Sequence, residues 1–71
     1  MGIFDKKVKY EEIVSVATDK IAKVRHYGET ISRISLLQYI YQFFASKRGQ
    51  VDFHDAMDVV EAFYMSGDVK A

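Results

Sequence analysis

Seventy-one residues carrying ten basic and ten acidic side chains and no cysteine make one domain near the lower limit of unaided folding. A chain of this size buries only roughly 60% of the surface its unfolded form exposes. Disulfide support is excluded, a chain without cysteine fits a reducing, cytoplasmic compartment, and zero net charge gives no general pull toward nucleic acid or anionic membrane. No apolar run approaches the ~18 residues that span a bilayer. The opening "MGIFDKK" lacks the apolar core of a signal peptide. Its Met1-Gly2 start resembles a myristoylation site, but Lys6 stands where Ser or Thr is wanted.

The charge is unevenly spread. Residues 51–71 hold Asp52, Asp55, Asp58, Glu61 and Asp68 against Lys70 alone, an acidic block of −4 balanced by +4 upstream. There is no proline, and Gly28, Gly49 and Gly67 divide the chain into periodic segments.

Around residues 1–9, Val8 and Tyr10 alternate with Lys7 and Lys9, so this segment is read as a short strand, a frayed first helical turn or a disordered arm. From Tyr10, apolar residues fall at Tyr10, Val14, Ala17, Ile21 and Val24, a 4-3-4-3 spacing that predicts a helix over 10–27. Glu11 and Glu12 near its start and Arg25 and His26 near its end suit the helix dipole, and Gly28 stops it. A second helix is expected over 31–47, capped by Thr30 or Ser32 and stopped by Gly49. The third, over 52–66, opens at Asp52. It carries Phe53, Ala56, Met57, Val60, Phe63 and Tyr64 on one stripe. The fold class is therefore all-α, a small three-helix bundle-like domain with short connections that favour antiparallel neighbours.

The segment "LLQYIYQFF" (36–44) gives helix two a doubled stripe. Ile34, Leu37, Tyr41 and Phe44 form one half, and Leu36, Ile40 and Phe43 the other, together an arc of about 200°. An outer helix of a bundle needs little more than ~100–140°. Leaving Leu36, Ile40 and Phe43 in water would forgo roughly 1.5–3 kcal/mol each. Helix two is therefore either central, sandwiched by the other two, or carries surplus apolar surface; the surplus is read as a homodimer interface of Leu36, Tyr39, Ile40 and Phe43, since contiguous aromatic surface is what interfaces are enriched in.

Catalytic chemistry is not legible. His54, Asp58 and Glu61, at i, i+4 and i+7, have spacing that could hold a metal from one helix, but read more simply as a solvated acidic face. His26 has no evident companion, and Ser32, Ser35 and Ser46 lack a His–carboxylate partnership. Residues 49–55, "GQVDFHD", would need Phe44 and Arg48 as calcium ligands to complete an EF-hand loop, which their chemistry forbids. No metal, cofactor or enzymatic activity is expected. The function read from the sequence is a non-catalytic protein-interaction module: an adaptor, inhibitor or regulatory subunit. Asp55, Asp58 and Glu61 would offer a contact surface to a basic protein partner.

One alternative rests on a resemblance. A basic strand with Lys7 and Lys9, a helix, a turn with Gly28, Thr30 and Ser32, and a second helix together resemble the ribbon–helix–helix repressors over residues 5–46. The resemblance implies a DNA-binding regulator in which Lys7 and Lys9 face the major groove, Val8 and Tyr10 face inward, and a second subunit completes the fold. The apolar spacing of helix two and the acidic third helix depart from that family's pattern.

Overall fold

The computed structural model describes residues 6–67 and 69. A two-residue strand β1 (Lys6–Lys7) leads into α1 (Tyr10–His26) and α2 (Arg33–Ala45). A second short strand β2 (Gly49–Gln50) and α3 (Phe53–Met65) follow. The three helices pack on one another, so the protein is mostly helical, as expected for a small all-α domain. Residues 1–5 of the segment read as strand or arm lie outside the described residues.

Local chemistry sets each helix end. The Glu12 carboxylate accepts the Lys9 backbone N–H at 3.1 Å, which holds the free amide at the start of α1. At its other end, Gly28 takes the left-handed conformation (φ 68°). The Gly28 and Glu29 amides then donate back to the Arg25 and Val24 carbonyls, a Schellman ending. Of the two caps the sequence offered α2, Ser32 is used: its hydroxyl accepts from the Ser35 amide at 3.1 Å. Asp52 caps α3 by accepting the His54 and Asp55 amides at 2.8 and 3.2 Å.

Gly49 was expected to end α2, but the left-handed residue there is Arg48 (φ 58°). Gly49 serves close packing instead. A Cβ at that position would sit 2.7 Å from Val8 Cγ2, because β1 lies directly against β2. The pairing is parallel, with Lys6 opposite Gly49 and Lys7 opposite Gln50, and the Val8 amide extends it to the Gln50 carbonyl at 2.9 Å. Parallel strands need a long crossover, and α1 with α2 provides it.

The core joins Ile13, Ala17 and Ile21 of α1 to Leu36, Ile40 and Phe44 of α2 and to Val59, Val60 and Tyr64 of α3, with Val8 and Val69 closing it. The Tyr64 hydroxyl donates to the Ile31 carbonyl, tying α3 to the turn before α2.

Candidate interaction surfaces

All three helices touch one another, and much of the broad apolar arc of α2 is absorbed within the single chain, with Leu37 and Phe43 packed against the core that buries Leu36, Ile40 and Phe44. Leu36 and Ile40, expected at a dimer interface, are 0% exposed within the single chain. They point between α1 and α3, so no surface of theirs is left for a second copy to cover. Tyr39 and Phe43, the other two residues of that expected interface, are half-buried on the α1 flank. The doubling in the sequence was real, but the inward half is Leu36–Ile40–Phe44, and the outward remainder lies on the opposite flank.

That remainder forms a ridge along α2 and α3. On α2, Ile34 is 69% exposed, with Leu37 and Tyr41 half-buried. On α3, Phe53 is 57% exposed and Met57 half-buried. The helices run antiparallel, as two markers show. Arg33 Nε, at the start of α2, lies 3.4 Å from Glu61 Oε2 near the end of α3. At the opposite end, Tyr41 feels the charge of Asp52, which adds to burial in raising its pKa. Ile34 and Phe53 therefore mark the two ends of the ridge, with Leu37, Tyr41 and Met57 between. The sequence did carry a signal for this. Both exposed residues stand in the first turn of their helices, just after the caps Ser32 and Asp52.

On the other flank of α2, facing α1, aromatic and cationic groups alternate. Lys20 Nζ stands 4.8 Å from the centre of the Tyr39 ring and Lys47 Nζ 5.1 Å from that of Phe43. The two rings are 6.2 Å apart, tilted by 38°. Both lysine contacts lie in the cation–π range.

The acidic residues of α3 do not share one face. Asp58 accepts a long hydrogen bond (3.5 Å) from the Tyr10 hydroxyl of α1. Asp55 lies among Lys7, Lys9 and Tyr10 on the strand side, while Glu61 turns the other way to Arg33. Of the three, only Asp58 is exposed. His54 and His26 are exposed as well. Among the described residues no three His, Asp or Glu side chains are grouped so as to hold a metal ion.

Lys7 and Lys9 are exposed and Val8 is buried between them, the alternation read from the sequence. Tyr10, assigned inward, is 40% exposed. The strand partner that the ribbon–helix–helix resemblance assigns to a second subunit is here supplied by the same chain, in parallel rather than across a two-fold axis.

Shifted titrations fall on tyrosines. Burial pushes the Tyr10, Tyr41 and Tyr64 hydroxyls above their ordinary value; Asp58 reinforces the shift at Tyr10, and Arg33 opposes it at Tyr64. A hollow of about 370 Å³, open to solvent, is framed by Ile21, Val24, Arg25, Glu29, Ile31 and Val69. No described helix is long and apolar enough to cross a membrane. No protein-family description, curated protein or solved structure matches this chain.

Proposed function

We propose that this chain is a non-catalytic helical interaction module that pairs with a second copy of itself through the α2–α3 ridge, and that serves as an adaptor, inhibitor or regulatory subunit. The observation that supports this is the exposure of Ile34 and Phe53 at the two ends of a ridge whose middle, Leu37, Tyr41 and Met57, is already half-covered. Contiguous apolar surface on a small domain marks an interaction site, and domains of this size commonly gain stability by association. A ridge along two antiparallel helices is suited to a two-fold contact, in which the same residues meet from both sides. A stable pair covers about 800 Å² on each copy, set against a total accessible surface of 5191 Å².

The test is sedimentation equilibrium over a wide concentration range on the wild type, on Ile34→Glu with Phe53→Glu, and on Phe43→Glu. Pairing through the ridge requires a dimer that the first pair of substitutions splits and that Phe43→Glu does not. Wild-type protein that stays monomeric at every concentration defeats the proposal. The exposed carboxylate of Asp58 leaves α3 able to steer a basic partner toward the dimer.

A further inference from the structure

We propose that the flank between α1 and α2 is a binding surface for single-stranded nucleic acid, with Tyr39 and Phe43 as the stacking platform and Lys20 and Lys47 as the phosphate contacts. This surface is separate from the ridge and does not depend on pairing. It is built from two neighbouring rings, 6.2 Å apart, bracketed by two ammonium groups 4.8 and 5.1 Å from their centres. Proteins that bind single strands combine these two elements, aromatic faces for the bases and a cationic track for the backbone.

Charge complementarity favours this occupant. The four carboxylates from Asp52 to Glu61 belong to α3 and its cap: Asp58 accepts from Tyr10, Glu61 pairs with Arg33, and Asp55 borders the same hollow as Lys7 and Tyr10. On α1, the Glu12 carboxylate is engaged at the Lys9 amide, and the exposed Asp19, next to Lys20, stands one turn before the exposed Lys23. The exposed flank of α2 beside the rings is polar and uncharged, with Ser35, Gln42 and Ser46. An acidic peptide would engage the lysines as well, but would leave the rings without a role. Bases would use both, each lysine exchanging a ring face for a phosphate oxygen. The neutral overall charge of the chain confines attraction to this flank and makes the contact short, a few nucleotides long.

The experiment is fluorescence anisotropy with a labelled single-stranded oligonucleotide of about ten nucleotides, titrated with the full chain from low to physiological salt. Wild-type protein should bind at low salt with a log–log salt slope of about −1.4, the value for two phosphate contacts on a single strand. Lys20→Gln with Lys47→Gln should remove that slope. Tyr39→Leu and Phe43→Leu, which keep apolar bulk, should each weaken binding by about tenfold, with circular dichroism confirming the fold. If Phe43→Leu does not fold, Tyr39→Leu alone decides the role of the rings. Absence of binding at low salt overturns the proposal. So does equal binding to duplex, displacement by poly-glutamate at equal charge, or affinity unchanged in the ring variants.

Discussion

Gly49 and Val8 offer a sharp test of how this small fold is closed. A methyl group at position 49 would lie 2.7 Å from Val8 Cγ2 and 3.4 Å from the Phe44 Cβ and carbonyl oxygen. Comfortable carbon–carbon contact is about 3.5–4.0 Å, so the first contact is short by about 1 Å. Val8 cannot easily yield, because its side chain is buried and its amide is held by the Gln50 carbonyl. Overpacking of this kind costs about 1–3 kcal/mol, less up to about 1 kcal/mol regained from the reduced freedom of the unfolded chain. Gly49→Ala should therefore lose about 1–2 kcal/mol, from a total that for this length is about 4–10 kcal/mol. Val8→Ala alone removes two buried methyl equivalents and should cost about 2 kcal/mol. The double variant should also cost only about 2 kcal/mol, because Cγ2 is gone and the new methyl fills part of the space it left. Urea unfolding of all four proteins, at one protein concentration, measures the coupling; at about 1 kcal/mol per molar urea the shifts are readily resolved. Additivity within ~0.5 kcal/mol would refute the close approach of β1 to β2.

Arg48 is held at φ 58°, where an L side chain crowds the backbone. Arg48→Gly should raise the urea midpoint by the equivalent of about 0.5–1 kcal/mol, and a lowered midpoint would point to a contact of the Arg48 side chain that outweighs the strain. Asp52→Ala should cost about 1 kcal/mol through loss of the α3 cap, whereas Asp52→Asn, which keeps the acceptor, should retain most of it in the same assay. Because Tyr41 and Tyr64 have raised folded pKa values, their contribution is fully present below the unfolded value near 10 and is lost as pH climbs through the folded values. Thermal melts should thus fall above about pH 10. Tyr64→Phe should melt lower at neutral pH, having lost the bond to Ile31, but decline less steeply in alkali. A parallel decline would remove Tyr64 from the explanation.

The helices were legible because each carries both a period and a terminus signal. Glu11, Glu12 and Gly28 bound α1, Ser32 opens α2, and Asp52 opens α3. Less legible was the orientation of α2. Periodicity places Leu36, Ile40 and Phe43 on one arc and Ile34, Leu37 and Tyr41 on another, but does not say which arc meets two neighbours. That depends on the angles at which α1 and α3 arrive, which are set by tertiary packing. The same limit affected the acidic residues: Asp55, Asp58 and Glu61 looked like one face, yet α3 lies in a position that sends Asp55 toward the strand and Glu61 toward Arg33. Gly49 was recognised as a break in the pattern. Its reason, the Val8 side chain more than 40 residues earlier in the chain, is not written locally.

The parallel pairing of Lys6–Lys7 with Gly49–Gln50 also orders events in time. The two strands are separated by the whole α1–α2 hairpin, so their junction requires the largest loop closure among the contacts of the first fifty residues. During synthesis β1 must wait until β2 has left the ribosome, while α1 and α2 already have each other. In the finished molecule two residue pairs and the Val8 amide hold that junction, a short ladder, so Lys6–Lys7, outside the buried Val8, is the part that opens at least cost. Each opening presents Lys6 and Lys7 as extended chain to a protease that cuts after lysine. Limited trypsin digestion of the native protein should therefore begin there, leaving the three helices intact.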